Sequence, residues 1–210
     1  MNKLLFIYYF LFFSQLNAAE FKGKFIQGHF ILGQTTSGAK ILIDKREVKV
    51  SKDGYFAFGI GKDRKFDITI TENGNKIIKR IKKRKYNVQK IEGLPKKKVT
   101  PPEEFYARIK RENKLIGKAR EVHSDLSFFK DRFIIPVDDA IITGVYGSQR
   151  ILNGIPKWPH YGLDFAQKKG TPIKAMNNGI VTLAQKDLFY TGATLIFDHG
   201  HGISTLYMHM

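Results

Sequence analysis

The 210-residue sequence contains no cysteine, and this absence restricts both its stability and its chemistry. Disulfide bonds are excluded, so packing of the core must hold the fold together. Zinc sites built from thiolates are excluded as well, which leaves histidine, aspartate and glutamate side chains as metal ligands. Apolar residues make up 42% and aromatic residues 13% of the chain. These proportions are typical of a folded protein, and the length allows one large domain or two small ones.

Long apolar runs are equally scarce, and the only one lies at the N-terminus. Lys3 precedes an unbroken apolar run over residues 4–13, and small and polar residues follow over 14–19. This three-part pattern is typical of a secretory signal peptide over residues 1–19, with cleavage next to Ala18 or Ala19. The run is shorter than the roughly 20 residues of a membrane span, although an uncleaved N-terminal anchor stays open as an alternative. We therefore expect an exported, soluble protein of the periplasm, the cell envelope or the extracellular space.

Acidic residues are few compared with basic ones: 19 against 36, which gives a formal net charge of +17. Such a charge favours an anionic surface such as wall polymer or lipid headgroups, although a generally lysine-rich proteome is an equal explanation. Ten basic residues lie between positions 79 and 98, with Tyr86 as the only aromatic residue among them. A nucleic-acid groove would need more stacking aromatics, so we expect no nucleic-acid partner. The sequence does not indicate an oligomeric state.

The pattern of turns and apolar residues predicts a mostly β protein in three parts. Residues 20–99 contain short strands at about ten-residue spacing, separated by turns such as Asp53-Gly54, which favours a small antiparallel β-sandwich-like module. We interpret this module as a binding or spacer unit, in which His29 stands alone as a structural residue. Residues 100–132 begin with two prolines and predict a linker helix starting near Glu103. Residues 133–210 form a second, glycine-punctuated β-rich segment.

The candidate metal-binding residues lie in the stretch PHYGLDF over residues 159–165. Gly162 and the preceding proline argue against a helix here, so the chain is expected to be extended. In an extended chain side chains alternate, and His160 and Asp164 then point the same way, with Gly162 leaving space between them. An imidazole and a carboxylate are common ligands of Zn²⁺. Taken alone, a His and an Asp at this spacing occur often by chance.

Further motifs follow in a fixed order: GTPIKA at 170–175, TLIFDHGHG at 194–202 and STLYMH at 204–209, with GVYGSQR at 144–150 ahead of them. This series closely resembles the LytM or lysostaphin-type zinc metalloendopeptidase domain over roughly residues 141–210. The resemblance implies that His160 and Asp164 are two of three protein ligands of a zinc ion. It also implies that His209 is a catalytic histidine beside the metal, and that the substrate is a peptide of bacterial peptidoglycan.

The family's third ligand lies in a later His-x-His motif, and this sequence ends at Met210 before such a motif. His199 and His201 have the same spacing, but they fall where the family has a hairpin turn, so we expect a turn role for both. We therefore expect the 133–210 domain to be C-terminally incomplete, and the 210-residue form to bind zinc weakly.

The resemblance implies hydrolysis by zinc-activated water, with His209 orienting the water or stabilising the developing oxyanion. Two alternatives stay open at this point. The chain could be a catalytically inactive LytM-type protein that binds wall or activates an amidase. It could also be a basic polymer-binding β-protein, although the signal peptide and the sparse stacking aromatics disfavour a nucleic-acid ligand.

Overall fold

The computed structural model describes residues 18–210, with all side chains in that range except that of Lys98. The predicted signal peptide therefore lies outside the described residues, apart from Ala18 and Ala19. In the described part of the chain, no helix is long and apolar enough to cross a membrane.

Seven short strands form the N-terminal part: β1 (Glu20–Lys22), β2 (Phe30–Gln34), β3 (Ile41–Ile43), β4 (Arg46–Val48), β5 (Tyr55–Gly59), β6 (Ile68–Glu72) and β7 (Asn75–Lys79). They make two antiparallel sheets, with strand orders β1-β2-β5 and β4-β3-β6-β7. Burial alternates along β2, β5 and β6, because one face of each strand points into a shared core. That core contains the almost fully buried side chains Ile31, Ile41, Phe56, Ile68 and Ile70. Each such side chain stabilises the fold by about 1.5–3 kcal/mol.

One glycine in this core has a specific packing role. Gly33 of β2 lies opposite Phe56 of β5, and a Cβ added to Gly33 would lie 2.2 Å from the Phe56 ring. The missing side chain lets the Phe56 ring lie over the neighbouring strand.

The chain continues through β8 (Val88–Ile91), a short helix α1 (Lys96–Val99), a 3₁₀ turn (Glu103–Phe105) and the main helix α2 (Tyr106–Arg120). The helix predicted to start near Glu103 is therefore present. It packs on the C-terminal strands, where Ala119 is buried together with Leu183 and Ile196. The buried carboxylate of Glu112 also accepts hydrogen bonds from Arg108 and from the backbone N–H of Phe189.

The C-terminal part contains β9 (Ile141–Gly144), β10 (Gln149–Leu152), β11 (Ile155–Pro156), β12 (Asp164–Ala166), β13 (Ile180–Leu188), β14 (Gly192–Asp198) and β15 (Ser204–Tyr207). Strands β13, β14 and β15 form an antiparallel sheet, and β12 pairs with β9. The predicted fold class, mostly β with antiparallel sheets and one main helix, is confirmed.

One pairing crosses the expected boundary between the two β-rich parts. Strand β8 belongs to the 20–99 segment, yet it pairs in parallel with β10, and β10 pairs with β11. The division into segments 20–99, 100–132 and 133–210 stays a prediction. The segments share a sheet, and this sheet lies directly beside the residues described next.

Candidate metal centre

His160 lies in the segment between β11 and β12, where the chain forms no strand and bends at Gly162, unlike the extended chain that we expected. Its backbone is fixed on both sides. Its N–H donates to the carbonyl of Ser148 at 2.8 Å, and its own carbonyl accepts from the N–H of Gly147 at 2.7 Å. Gly147 has a φ of +89°, a left-handed conformation that glycine adopts without strain. The His160 side chain is buried, with 7% of its surface exposed. The loop between β9 and β10 therefore sets the position of the imidazole.

Asp164 is the first residue of β12, and its carboxylate faces the His160 ring. Oδ1 of Asp164 lies 3.0 Å from Nε2 of His160. In the sheet, Asp164 pairs with Gly144 of β9, and a Cβ on Gly144 would lie 2.3 Å from Oδ2. Only glycine at this position leaves room for the carboxylate. The structure thus brings together the two side chains that the sequence predicted as metal ligands.

These two side chains fit a divalent metal that prefers nitrogen and oxygen ligands, as zinc does. Nδ1 of His160 is buried and has no hydrogen-bond partner among the described residues. Because Nε2 is the nitrogen that faces Asp164, an ion held by the pair would bind Nε2, and Nδ1 would need a water as its partner. No group of three or more His, Cys, Asp or Glu side chains within residues 18–210 is arranged to hold a metal. His160 and Asp164 therefore form a two-residue donor set in the described part of the chain.

Arg150 was not among the predicted site residues, yet it contacts the predicted ligand Asp164. Nη2 of Arg150 donates to Oδ2 of Asp164 at 2.7 Å, so the two carboxylate oxygens have different partners. Nε of Arg150 in turn donates to Oε1 of Gln89 on β8 at 3.3 Å. Arg150 stands in the GVYGSQR motif, so its presence near the site could be inferred. Its partner on β8 could not, because that pairing joins residues 61 positions apart.

Tyr86, just ahead of β8, touches the same loop that holds His160. A Cβ on Gly147 would lie 2.0 Å from the Tyr86 ring, so the ring packs directly on that glycine. Lys62 and Arg84 lie over the Tyr86 ring at 5.0 and 5.3 Å from its centroid. The N-terminal part of the chain therefore supports both ligand residues, one through Gly147 and the other through Arg150.

His209 lies beyond the end of β15 and is exposed. Its N–H donates to the carbonyl of Thr191 at 2.9 Å, and its φ of +60° is left-handed. Strand alternation would place Tyr207 and His209 on one face, but β15 ends at Tyr207, which is buried. The left-handed backbone, and not strand alternation, therefore sets the position of His209.

His209, His160 and Asp164 all line one cavity of about 770 Å³. Residues 133–137 form one wall of this cavity, and residues from β12 and from β15 onward form others. Most lining side chains are apolar, and Arg150 supplies the fixed positive charge. The cavity is thus a largely apolar recess with a few polar groups, a common form for a small binding site.

His199 and His201 lie in the turn between β14 and β15, as predicted. His199 is fully buried, with Nδ1 2.6 Å from the carbonyl oxygen of Asn178 and Nε2 2.8 Å from Oγ1 of Thr205. Both ring nitrogens are therefore occupied. The His201 ring contacts the Phe129 ring at a centroid distance of 4.8 Å, and its Nδ1 lies 3.2 Å from the carbonyl oxygen of Lys49. Neither histidine lines the cavity that contains His160.

Comparison with known proteins agrees with this geometry. The model of peptidase family M23 matches residues 158–210, the segment that carries His160, Asp164 and His209. The DD-carboxypeptidase/endopeptidase Mpg of Neisseria meningitidis serogroup B and that of Neisseria gonorrhoeae are each 37% identical to this chain over 51 residues. Those residues make up 24% of this chain and 12% of each relative, so the chain matches about one-eighth of their length.

Among solved structures, a Pseudomonas aeruginosa protein assigned to peptidase M23 has a similar fold. The TM-score is 0.59 at 22% sequence identity, and the match covers 89% of this chain and 74% of the other. At that identity the similarity concerns the fold alone. The family match and the Neisseria relatives are similar in sequence, and they confirm the LytM-type resemblance. Over residues 158–210, this chain is similar to peptidase family M23.

Proposed function

We propose that this protein is an exported zinc metalloendopeptidase that hydrolyses peptide crosslinks of bacterial peptidoglycan. The observation that carries the proposal is the pairing of His160 with Asp164, 3.0 Å apart at the wall of the cavity. This pair lies inside the segment that matches family M23. The Mpg relatives are named as carboxypeptidase and endopeptidase, which supports a peptide bond as the target.

His160 and Asp164 are the residues that would hold the zinc ion. When bound, zinc lowers the pKa of a coordinated water toward about 7 and polarises a substrate carbonyl. Arg150 fixes one carboxylate oxygen of Asp164, which leaves the other oriented toward His160. His209 lines the same cavity and would move a proton to or from the reacting groups. The apolar walls would limit the access of bulk water to these groups.

The basic surface supports a second feature of the proposal, residence at an anionic envelope polymer or membrane surface. Basic residues between positions 79 and 97 form no ion pair within 4.0 Å among the described residues. Their charges are therefore available to phosphate or carboxylate groups of the envelope. Export follows from the signal-peptide pattern of residues 1–19.

The proposal is tested by measuring metal content and wall hydrolysis on the same preparations. The purified chain is equilibrated with Zn²⁺, its metal content is determined by mass spectrometry, and the release of soluble fragments from peptidoglycan is followed. We expect His160→Ala and Asp164→Asn to remove the bound zinc, because each deletes one of two neighbouring donors. His29→Ala changes a histidine outside the cavity and should retain the metal. If zinc is retained equally by all three variants, these residues are not the ligands.

A second candidate is a catalytically inactive wall-binding protein or amidase activator. The observation that favours it is the lack of a third donor beside His160 and Asp164 within residues 18–210. The two functions differ in whether fragments are released from peptidoglycan and whether a metal chelator has an effect. An inactive binder would sediment with peptidoglycan, would release no fragments, and would bind equally well in the presence of a metal chelator. The peptidase would release fragments and lose that activity when the chelator is added.

A further inference from the structure

Ala19 and Glu72 form an unusual contact at the start of the folded part of the chain. Ala19 is buried, with 8% of its surface exposed, and it belongs to the core between the two N-terminal sheets. Its backbone N–H donates to Oε2 of Glu72 at 2.9 Å, whereas Ala18 immediately before it is exposed. Among the described residues, burial therefore begins at Ala19.

Glu72, the last residue of β6, is itself buried, with 7% of its surface exposed. Its other oxygen, Oε1, accepts a hydrogen bond from the hydroxyl of Thr35. No basic side chain among residues 18–210 lies within ion-pair distance of Glu72. A buried carboxylate costs free energy unless an opposite charge accompanies its hydrogen bonds. An opposite charge would arise at this contact if the nitrogen of Ala19 became an α-ammonium group.

We propose that the protein is cleaved between Ala18 and Ala19, and that the new α-ammonium group of Ala19 pairs with the carboxylate of Glu72. In this step an endopeptidase of the secretion machinery hydrolyses the Ala18–Ala19 peptide bond with one water molecule. The products are a carboxylate on Ala18 and a protonated amine on Ala19. The amide nitrogen that now donates to Glu72 becomes a cation at the same position, and the buried carboxylate acquires a counter-charge.

The sequence pattern permits cleavage on either side of Ala19, and the structure distinguishes the two. Cleavage after Ala19 would remove a residue that lies in the core, and Oε2 of Glu72 would lose its donor. Cleavage before Ala19 removes, of the described residues, only the exposed Ala18, and it strengthens the existing contact of Ala19 with Glu72. Because Glu72 lies on β6 and Ala19 directly precedes β1, the ion pair would join the two N-terminal sheets. Cleavage would then add an ion pair to the fold as well as separate the protein from its signal peptide.

The site of cleavage is tested by producing the chain with its native N-terminus in a secreting bacterium. The exported protein is analysed by intact mass and by N-terminal sequencing. We expect a single species that begins at Ala19. A species that begins at Glu20, or an intact Met1, would overturn the proposal. The inference rests on the export part of the proposed function, which an intact Met1 would remove, whereas a start at Glu20 would leave it standing. Neither result bears on whether His160 and Asp164 bind zinc, and that part is tested separately.

The ion pair is tested by unfolding two otherwise identical forms, one beginning at Ala19 and one at Ala18. Both can be made from fusions whose removal leaves a chosen first residue. We expect the Ala19 form to unfold at a higher urea concentration, and we expect this difference to disappear in Glu72→Gln. The matched control is Glu47→Gln on β4, which changes an exposed carboxylate paired with Lys40 and should preserve the difference. Equal midpoints for the two forms, or a difference that persists in Glu72→Gln, would refute the pairing.

Discussion

Arg150 donates a hydrogen bond to Oδ2 of Asp164 at 2.7 Å, and both side chains are partly buried at the wall of the cavity. The bond leaves Oδ1 of the same carboxylate facing His160. Residues that hydrogen-bond to a metal ligand fix its orientation and strongly influence the metal affinity of the site. Arg150 has this position with respect to Asp164, and Gln89 has it with respect to Arg150.

We therefore expect Arg150→Met to weaken zinc binding by about 10- to 100-fold. Two effects oppose each other here. Loss of the hydrogen bond frees the carboxylate, which lowers the affinity, whereas loss of a positive charge near a cation raises it. The second effect is the smaller one because Arg150 is partly exposed and water screens its charge. The dissociation constant is measured by competition with a chromophoric chelator, with Arg111→Met on the exposed face of α2 as the control. Tighter binding by Arg150→Met would show that repulsion dominates.

The catalytic assignment of His209 leads to a different pattern of losses. His209→Ala should retain zinc, because the proposed ligands His160 and Asp164 are untouched. The rate of fragment release should fall by about 10²- to 10⁴-fold, as is common when a general acid or base is removed. Metal content and fragment release are measured on one preparation, with His29→Ala, outside the cavity, as the control. Loss of zinc from His209→Ala together with its retention in His160→Ala would reverse the two roles.

Substitution of Gly144 and of Gly117 by alanine should change the free energy of unfolding in opposite directions. In Gly144→Ala the new Cβ would lie 2.3 Å from Oδ2 of Asp164, so the carboxylate or the strand must move. We expect a loss of about 1–3 kcal/mol of unfolding free energy and weaker zinc binding. Gly117 in α2 has no atom within 4 Å of its Cβ position. Gly117→Ala should therefore stabilise the fold by about 0.5–1 kcal/mol. Urea unfolding measures both, and equal effects would contradict the packing around Asp164.

The closeness of His160 and Asp164 could be predicted from the sequence because the two residues are only four positions apart. The alternation of an extended chain is not what joins them, since the chain bends at Gly162 and the backbone of each residue is held by distant partners. The alternating strands of the N-terminal sheets and the helix near Glu103 were predictable because neighbours in the sequence determine those patterns.

Features that depend on distant pairing could not be predicted in this way. The contact of Gln89 with Arg150 requires β8 to pair with β10, and no local pattern specifies that partner. His209 departs from strand alternation because its backbone bonds to Thr191, in the turn between β13 and β14. Tertiary hydrogen bonding overrides the local preference in both cases.

The stability of the fold should depend on pH through His201, which contacts the N-terminal part of the chain. Burial lowers the pKa of His201 below its ordinary value of 6.5, and the positive charge of Lys49 acts in the same direction. The hydrogen bond to the Lys49 carbonyl, together with Asp125 and Asp198, opposes this shift without cancelling it. The neutral imidazole is therefore the form that the folded protein favours.

The sign of the pH dependence follows from the lowered pKa. Below about pH 6.5 the unfolded chain binds a proton at His201 that the folded chain does not, so the free energy of unfolding falls as the pH falls. Urea unfolding at about pH 7.5 and about pH 5.5 should show a larger loss for the natural chain than for His201→Gln. His29 also has a pKa lowered by burial, so His29→Gln should remove a separate part of the dependence. An identical loss in the natural chain and in His201→Gln would mean that this histidine titrates normally and does not couple the turn to Lys49.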